Sequence, residues 1–121
     1  AWASLGRGMD ELSLTGPSIV HEFIDGLVRE RTVDPAALGL RTCSIEELRG
    51  GDRVDNAALL TAILAGVERG PKRDIVLLNA AASFVITGLA KDLADGLELA
   101  REQINSGRAL EKLHALQMFS R

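Results

Sequence analysis

The sequence predicts an α/β chain, with a β-hairpin over about 18–33 followed by a mainly helical segment over 34–121. Two local observations predict it. An Asp25-Gly26 pair sits between two β-prone runs, and an Asp-Gly pair suits the positive φ that a type I′ turn needs at both central positions. Beyond it, Ala- and Leu-rich stretches are bounded by Asp, Pro and Gly where helices start and stop. Composition agrees. Apolar residues make up 46% of the 121 and charged residues 26%, a globular balance, while aromatics are 3% with no Tyr. The core is therefore aliphatic, and Ala and Leu in such supply favour helices.

Residues 1–5 read as the end of a strand, and Gly6-Arg7-Gly8 then forces a loop that carries the acidic pair Asp10-Glu11. Gly16-Pro17 keeps the chain irregular up to the hairpin. In the second hairpin run, Arg29, Glu30 and Arg31 fit an exposed strand. Asp34 is placed to cap a short turn with Pro35 as its first residue and Gly39 as its end. Ser44, with Glu47 three residues on, has the spacing of a capping box.

Four helices follow. Asp52 caps one from about Arg53 to Ala65, with Leu60, Ile63, Leu64 and Val67 as its apolar face. Pro71 opens the next, with Asp74 near its positive end and Gly88 as its stop. That helix is apolar nearly all round, which predicts a central buried element. A third, from about Lys91 to Asn105, sets Leu93, Leu97, Ala100 and Ile104 on one face. Ser106-Gly107 breaks it, and the last helix carries Leu110, Leu113 and Leu116.

A formal charge of −3 and a pI near 5.4 argue against nucleic acid as a partner, since phosphate backbones reward dense Lys/Arg patches. The longest apolar stretch, 75–86, is too short to span a bilayer. Cys43 is the single cysteine; it allows neither an internal disulfide nor a cysteine-rich zinc site and fits a reducing cytoplasm. No secretory signal is visible at the start. The chain begins at Ala1-Trp2 with no initiator Met, inside an apolar segment, as a fragment or a processed product would.

Asp10-Glu11 is the best candidate for chemistry. Two adjacent carboxylates on a loop after a strand can converge on one hard cation, and Mg2+ is typically held by one or two carboxylates with water and a substrate phosphate. By itself such a pair is more often a solvated turn. Arg49-Gly50-Gly51-Asp52 invites a phosphate-loop reading, but Asp52 would place a carboxylate at the anion site, so a loop and N-cap is the better account. His21, His114 and Cys43 lack metal-ligand or nucleophile spacing and read as structural or exposed. Lys72 and Arg73, at a helix start, read as solvated charges. Asn79 lies mid-way along the apolar helix, where a buried amide must find partners; tying the helix to neighbouring backbone is its expected role.

In order, the runs Gly8-Met9-Asp10-Glu11-Leu12-Ser13, Asp34-Pro35, Leu48-Arg49-Gly50-Gly51-Asp52, Gly70-Pro71-Lys72-Arg73-Asp74, Leu78-Asn79-Ala80-Ala81-Ala82, Leu97-Glu98-Leu99-Ala100-Arg101-Glu102 and Ala109-Leu110-Glu111-Lys112-Leu113 resemble the C-terminal third of anthranilate phosphoribosyltransferase. The resemblance covers residues 6 to 121. It implies one C-terminal segment, 1–121, of a larger α/β catalytic domain of the kind shared by phosphoribosyltransferases and nucleoside phosphorylases. Residues 1–17 would be its strand and metal-binding loop, 18–33 its hairpin and 34–121 its helical part.

It also implies transfer of phosphoribose from phosphoribosyl pyrophosphate (PRPP) to anthranilate in tryptophan biosynthesis, with release of pyrophosphate. The family's Gly-x-Asp-Glu carboxylates bind Mg2+, a role that carries over to Asp10 and Glu11. The family's Gly-Thr-Gly-Gly-Asp and Lys-His-Gly-Asn motifs do not occur in this sequence, and Ser4-Leu5-Gly6 stands where the family often has Val-His-Gly. The expectation is a chain inactive alone that self-associates or pairs with the missing N-terminal part. A non-catalytic interaction module of the same fold is the alternative, and a nucleoside phosphorylase fits the acidic pair less well.

Overall fold

A computed structural model describes the backbone of residues 2–5 and the chain from 9 to 120; the expected Gly6-Arg7-Gly8 loop lies outside the described residues. Strands β1 (Trp2–Leu5), β2 (Ser18–Ile24) and β3 (Leu27–Val33) form a sheet in the order β1-β2-β3. The hairpin register pairs Ile24 with Leu27, leaving Asp25 and Gly26 as the turn. Their φ values of 52° and 78° are the two positive angles the type I′ turn demands.

Both pairings are antiparallel, as the expected hairpin requires of β2 and β3. A two-residue turn can return the chain only antiparallel, and the described residues of the β1–β2 link, 9–17, contain no crossover helix, which a parallel neighbour would need.

Only the base of the hairpin sits on the core. Ser18, Val20 and Val33 are buried, whereas residues 23–32 are exposed. Cross-strand charges stabilise the projecting part modestly: His21 faces Glu30 at 3.4 Å, and Arg31 reaches Glu22 diagonally at 3.6 Å.

Two 3-10 turns, Ala36–Leu38 and Glu46–Leu48, lead to helices α1 (Arg53–Leu64), α2 (Pro71–Ile86), α3 (Leu93–Asn105) and α4 (Arg108–Phe119). Asp34 Oδ1 accepts the Ala36 N–H at 3.0 Å, as expected of a cap. Asp52 and Asp55 close a full capping box on α1. At Ser44 the box is half made. Glu47 accepts the Ser44 N–H at 2.8 Å, but the Ser44 hydroxyl turns to the same carboxylate and leaves the Glu47 N–H to the Ser44 carbonyl.

The core joins Leu12, Leu14, Val20 and Leu40 to Leu77, Leu78 and Ala81 of α2 and to Leu93, Leu97, Ala100 and Ile104 of α3. The α3 face is the one its spacing predicts. For α1 the face is corrected in part: Ile63 is buried and Leu64 packs against the core as expected, Leu59 joins them, and Leu60 and Val67 are exposed. The helix has apolar residues on two sides, and its neighbours select the side that Leu59 and Ile63 share. The expectation for α2 is also corrected. Leu77, Leu78, Ala81 and Ala82 are buried, but Ile86 is half exposed, because α2 has neighbours on only part of its circumference. α2 and α3 pack very closely, and a Cβ added at Gly96 would lie 2.7 Å from the Ala81 carbonyl oxygen.

Candidate metal-binding loop

The acidic pair lies on a loop that the fold anchors just after Glu11. Asp10 and Glu11 are exposed and Leu12 is buried. From α2, Asn79 Oδ1 accepts the Leu12 N–H at 2.9 Å, and Asn79 Nδ2 donates to the Leu12 carbonyl at 3.0 Å. The same Nδ2 donates to the Ile75 carbonyl at 3.0 Å, so oxygen and amide are both engaged. Asn79 thus ties the helix to neighbouring backbone, and its partner is the residue that follows Glu11.

Further on, the Ser13 N–H donates to Ser18 Oγ at 3.2 Å and the Cys43 N–H to the Leu14 carbonyl at 3.1 Å. The Ser13 hydroxyl pairs with Thr15 Oγ1 at 2.8 Å and donates to Met9 Sδ at 3.6 Å, holding the residue before Asp10 as well. Sequence reasoning read 12–17 only as irregular. The Ser13, Thr15 and Ser18 hydroxyls were the available signal, since such side chains substitute for a ladder by bonding local backbone.

The donor set suits a hard divalent cation. Among the described residues no ion pair engages Asp10 or Glu11, and no group of three or more His, Cys, Asp and Glu side chains converges. Exposed carboxylates are hard oxygen donors, of the kind Mg2+ takes together with waters and substrate phosphate oxygens.

The other candidates separate from this loop. Gly51 donates its N–H to Asn56 Oδ1 at 2.9 Å, and Asp52 accepts the Asp55 N–H at 2.9 Å, so the Gly50-Gly51 turn is closed by its own side chains. His114 is exposed. Burial raises the Cys43 thiol above its ordinary pKa, with Glu47 and Asp74 adding to the effect and Arg41 opposing it; a thiol so held is a poor nucleophile at neutral pH. Arg73 is not simply a solvated charge: its Nη2 reaches Asn105 Oδ1 at 3.5 Å, joining the start of α2 to the end of α3. Elsewhere Leu64, Val76, Ala80, Phe84 and Ile104 line an open apolar groove of about 650 Å³ among the helices. Among the described residues no helix is long and apolar enough to cross a membrane.

Residues 3–110 match the model of the glycosyl transferase family a/b domain. The chain belongs to this family. Among its relatives in the family, an anthranilate phosphoribosyltransferase of Chloroflexus aggregans is 50% identical over 94% of this chain and 34% of its own length. The crystal structure of anthranilate phosphoribosyltransferase from Thermus thermophilus superposes with a TM-score of 0.86 at 37% identity, covering 95% of this chain and 34% of that one. A variant of the Saccharomyces cerevisiae enzyme, solved with Mg bound, superposes with a TM-score of 0.84 at 26% identity over 93% of this chain and 33% of that one. The similarity lies with the C-terminal part of these enzymes. This family member spans about a third of the length of the curated relatives it matches.

Proposed function

We propose that this chain supplies the metal-binding loop of an anthranilate phosphoribosyltransferase, acting in tryptophan biosynthesis in the cytoplasm. The reaction moves phosphoribose from PRPP to the amino group of anthranilate and releases pyrophosphate. The observation that carries the reading is the exposed Asp10-Glu11 pair, in the family's Gly-x-Asp-Glu run, on a loop that α2 anchors at Leu12. The yeast relative's bound Mg supports the choice of cation. Asp10 and Glu11 would hold Mg2+ through carboxylate oxygens. Mg2+ supplies neutralisation of the charge that grows on pyrophosphate as the glycosidic bond loosens.

Residues 1–121 act as one segment of a larger α/β catalytic domain, in which 1–17 carry the metal loop, 18–33 the hairpin and 34–121 the helical part. The 121 residues alone carry only part of the site, because the Gly-Thr-Gly-Gly-Asp and Lys-His-Gly-Asn motifs that the resemblance implies for PRPP are not in the sequence. The remaining two thirds of such an enzyme cover the open groove, and without them copies of this chain self-associate.

Calorimetric titration of PRPP with and without Mg2+ tests the metal reading. Wild type is expected to show Mg2+-dependent binding, weakened about tenfold or more in Asp10→Asn and in Glu11→Gln. Equal binding by all three proteins would remove the assignment. A stably folded wild type with no affinity for PRPP or Mg2+ would favour the non-catalytic module. Full Mg2+-dependent turnover by this chain alone would refute the partial-site reading.

A further inference from the structure

We infer that Asn79 is a positioning residue for the metal site, acting on Glu11 and Asp10 through the Leu12 backbone; the inference rests on the metal reading above. Asn in a helix interior is less favourable than Ala or Leu, yet this one sits in the middle of α2 with its whole amide committed. Its oxygen and its nitrogen both engage Leu12, at 2.9 and 3.0 Å, as an opposing strand residue would in an antiparallel pair.

The Leu12 nitrogen belongs to the same planar peptide unit as the Glu11 carbonyl and the Glu11 Cα. Holding that N–H therefore fixes the plane from which the Glu11 side chain departs. The bond to the Leu12 carbonyl fixes the next plane, so the chain cannot rotate about Leu12 to relax the first. Burial of the Leu12 side chain and the Ser13–Met9 contact limit movement on either side of the acids.

Helix capping does not account for this arrangement, because Asn79 lies far from both ends of α2. A tie needed only to hold the loop to the helix could fall at any residue of the loop, whereas this one falls on the peptide adjoining Glu11. Two carboxylates on a fixed backbone lose less freedom on converging upon a cation, and groups that orient metal ligands typically change affinity by about 10–100-fold. The amide thus couples α2 to the geometry of the acidic pair without touching the cation.

The test uses Mn2+ as a paramagnetic probe on the isotopically labelled chain, following the broadening of the amide signals of residues 10–13. Asp10→Asn reports on the metal reading, Asn79→Ser on the inference, and Ile104→Ala on core destabilisation remote from the loop. Wild type should show saturable broadening, with an apparent affinity that Asp10→Asn weakens about tenfold or more. Asn79→Ser should weaken the apparent Mn2+ affinity about tenfold, while Ile104→Ala leaves it within about twofold.

Wild-type affinity in Asn79→Ser, or equal weakening in Ile104→Ala, would overturn the positioning role. Should Asn79→Ser fail to fold, Asn79→Asp decides. It keeps the acceptor for the Leu12 N–H and loses the donors, and its extra charge alone would strengthen cation binding. Weaker binding then supports the role, and equal or tighter binding overturns it. Broadening that is absent in wild type, or that keeps its wild-type affinity in Asp10→Asn, would overturn the metal reading and this inference with it.

Discussion

Gly96 and Asn79 show how one residue can set a distance that nothing nearby in sequence reveals. A Cβ at Gly96 would lie 2.7 Å from the Ala81 carbonyl oxygen and 3.0 Å from the Ala81 Cα, and both are backbone atoms that cannot swing aside. Gly96→Ala should therefore push α3 from α2 despite the better helix propensity of Ala, destabilising the fold by about 1–3 kcal/mol. Urea denaturation checks this, and a variant as stable as wild type would show that the two helices separate freely. Asn79 was legible as a residue in need of partners, because an amide among apolar neighbours costs stability unless it is bonded. Leu12, 67 residues away, was not legible. Asp10 and Glu11 became legible through the ordered runs around them, since two acids on a turn look the same whether they bind metal or water.

At the scale of elements, caps and faces divide differently. In sequence Ser44 carries the capping-box spacing and Asp52 only an N-cap signal, but only Asp52 closes a box in both directions and opens a full α-helix. Asp52→Ala is expected to cost about 1 kcal/mol and Ser44→Ala a few tenths. Parallel unfolding curves for the two variants would check the ranking, and a larger loss at Ser44 would contradict it. The hairpin was legible whole, because its turn demands φ angles that few residue pairs adopt. The inward face of α1 was legible only in part, through Ile63 and Leu64. Leu60 and Val67 fit the helical period as well as Leu59 and Ile63 do, and only the position of the core chooses between them.

For the whole molecule, the half-covered α2 and the projecting hairpin are the main features. Phe23, Ile24, Leu27 and Val28 are each more than half exposed at the hairpin end, and Phe84 and Val76 face the open groove. Apolar surface of this kind promotes association unless something covers it. Sedimentation of the isolated chain should show mass rising with concentration, and the added upstream portion of a related transferase should suppress that rise. A strictly monomeric chain at every concentration would contradict the expectation of self-association.

The sequence by itself determined the hairpin, the helix boundaries and the α3 face, because turn angles, caps and helical periodicity act within a few residues. Its ordered runs also determined the resemblance that makes Asp10-Glu11 a candidate. Only the tertiary structure decided that β1 pairs with β2, that α2 is covered on part of its circumference, and that Asn79 grips the peptide beside Glu11. Those outcomes depend on which distant segments meet, and a local pattern allows several such meetings while packing admits one.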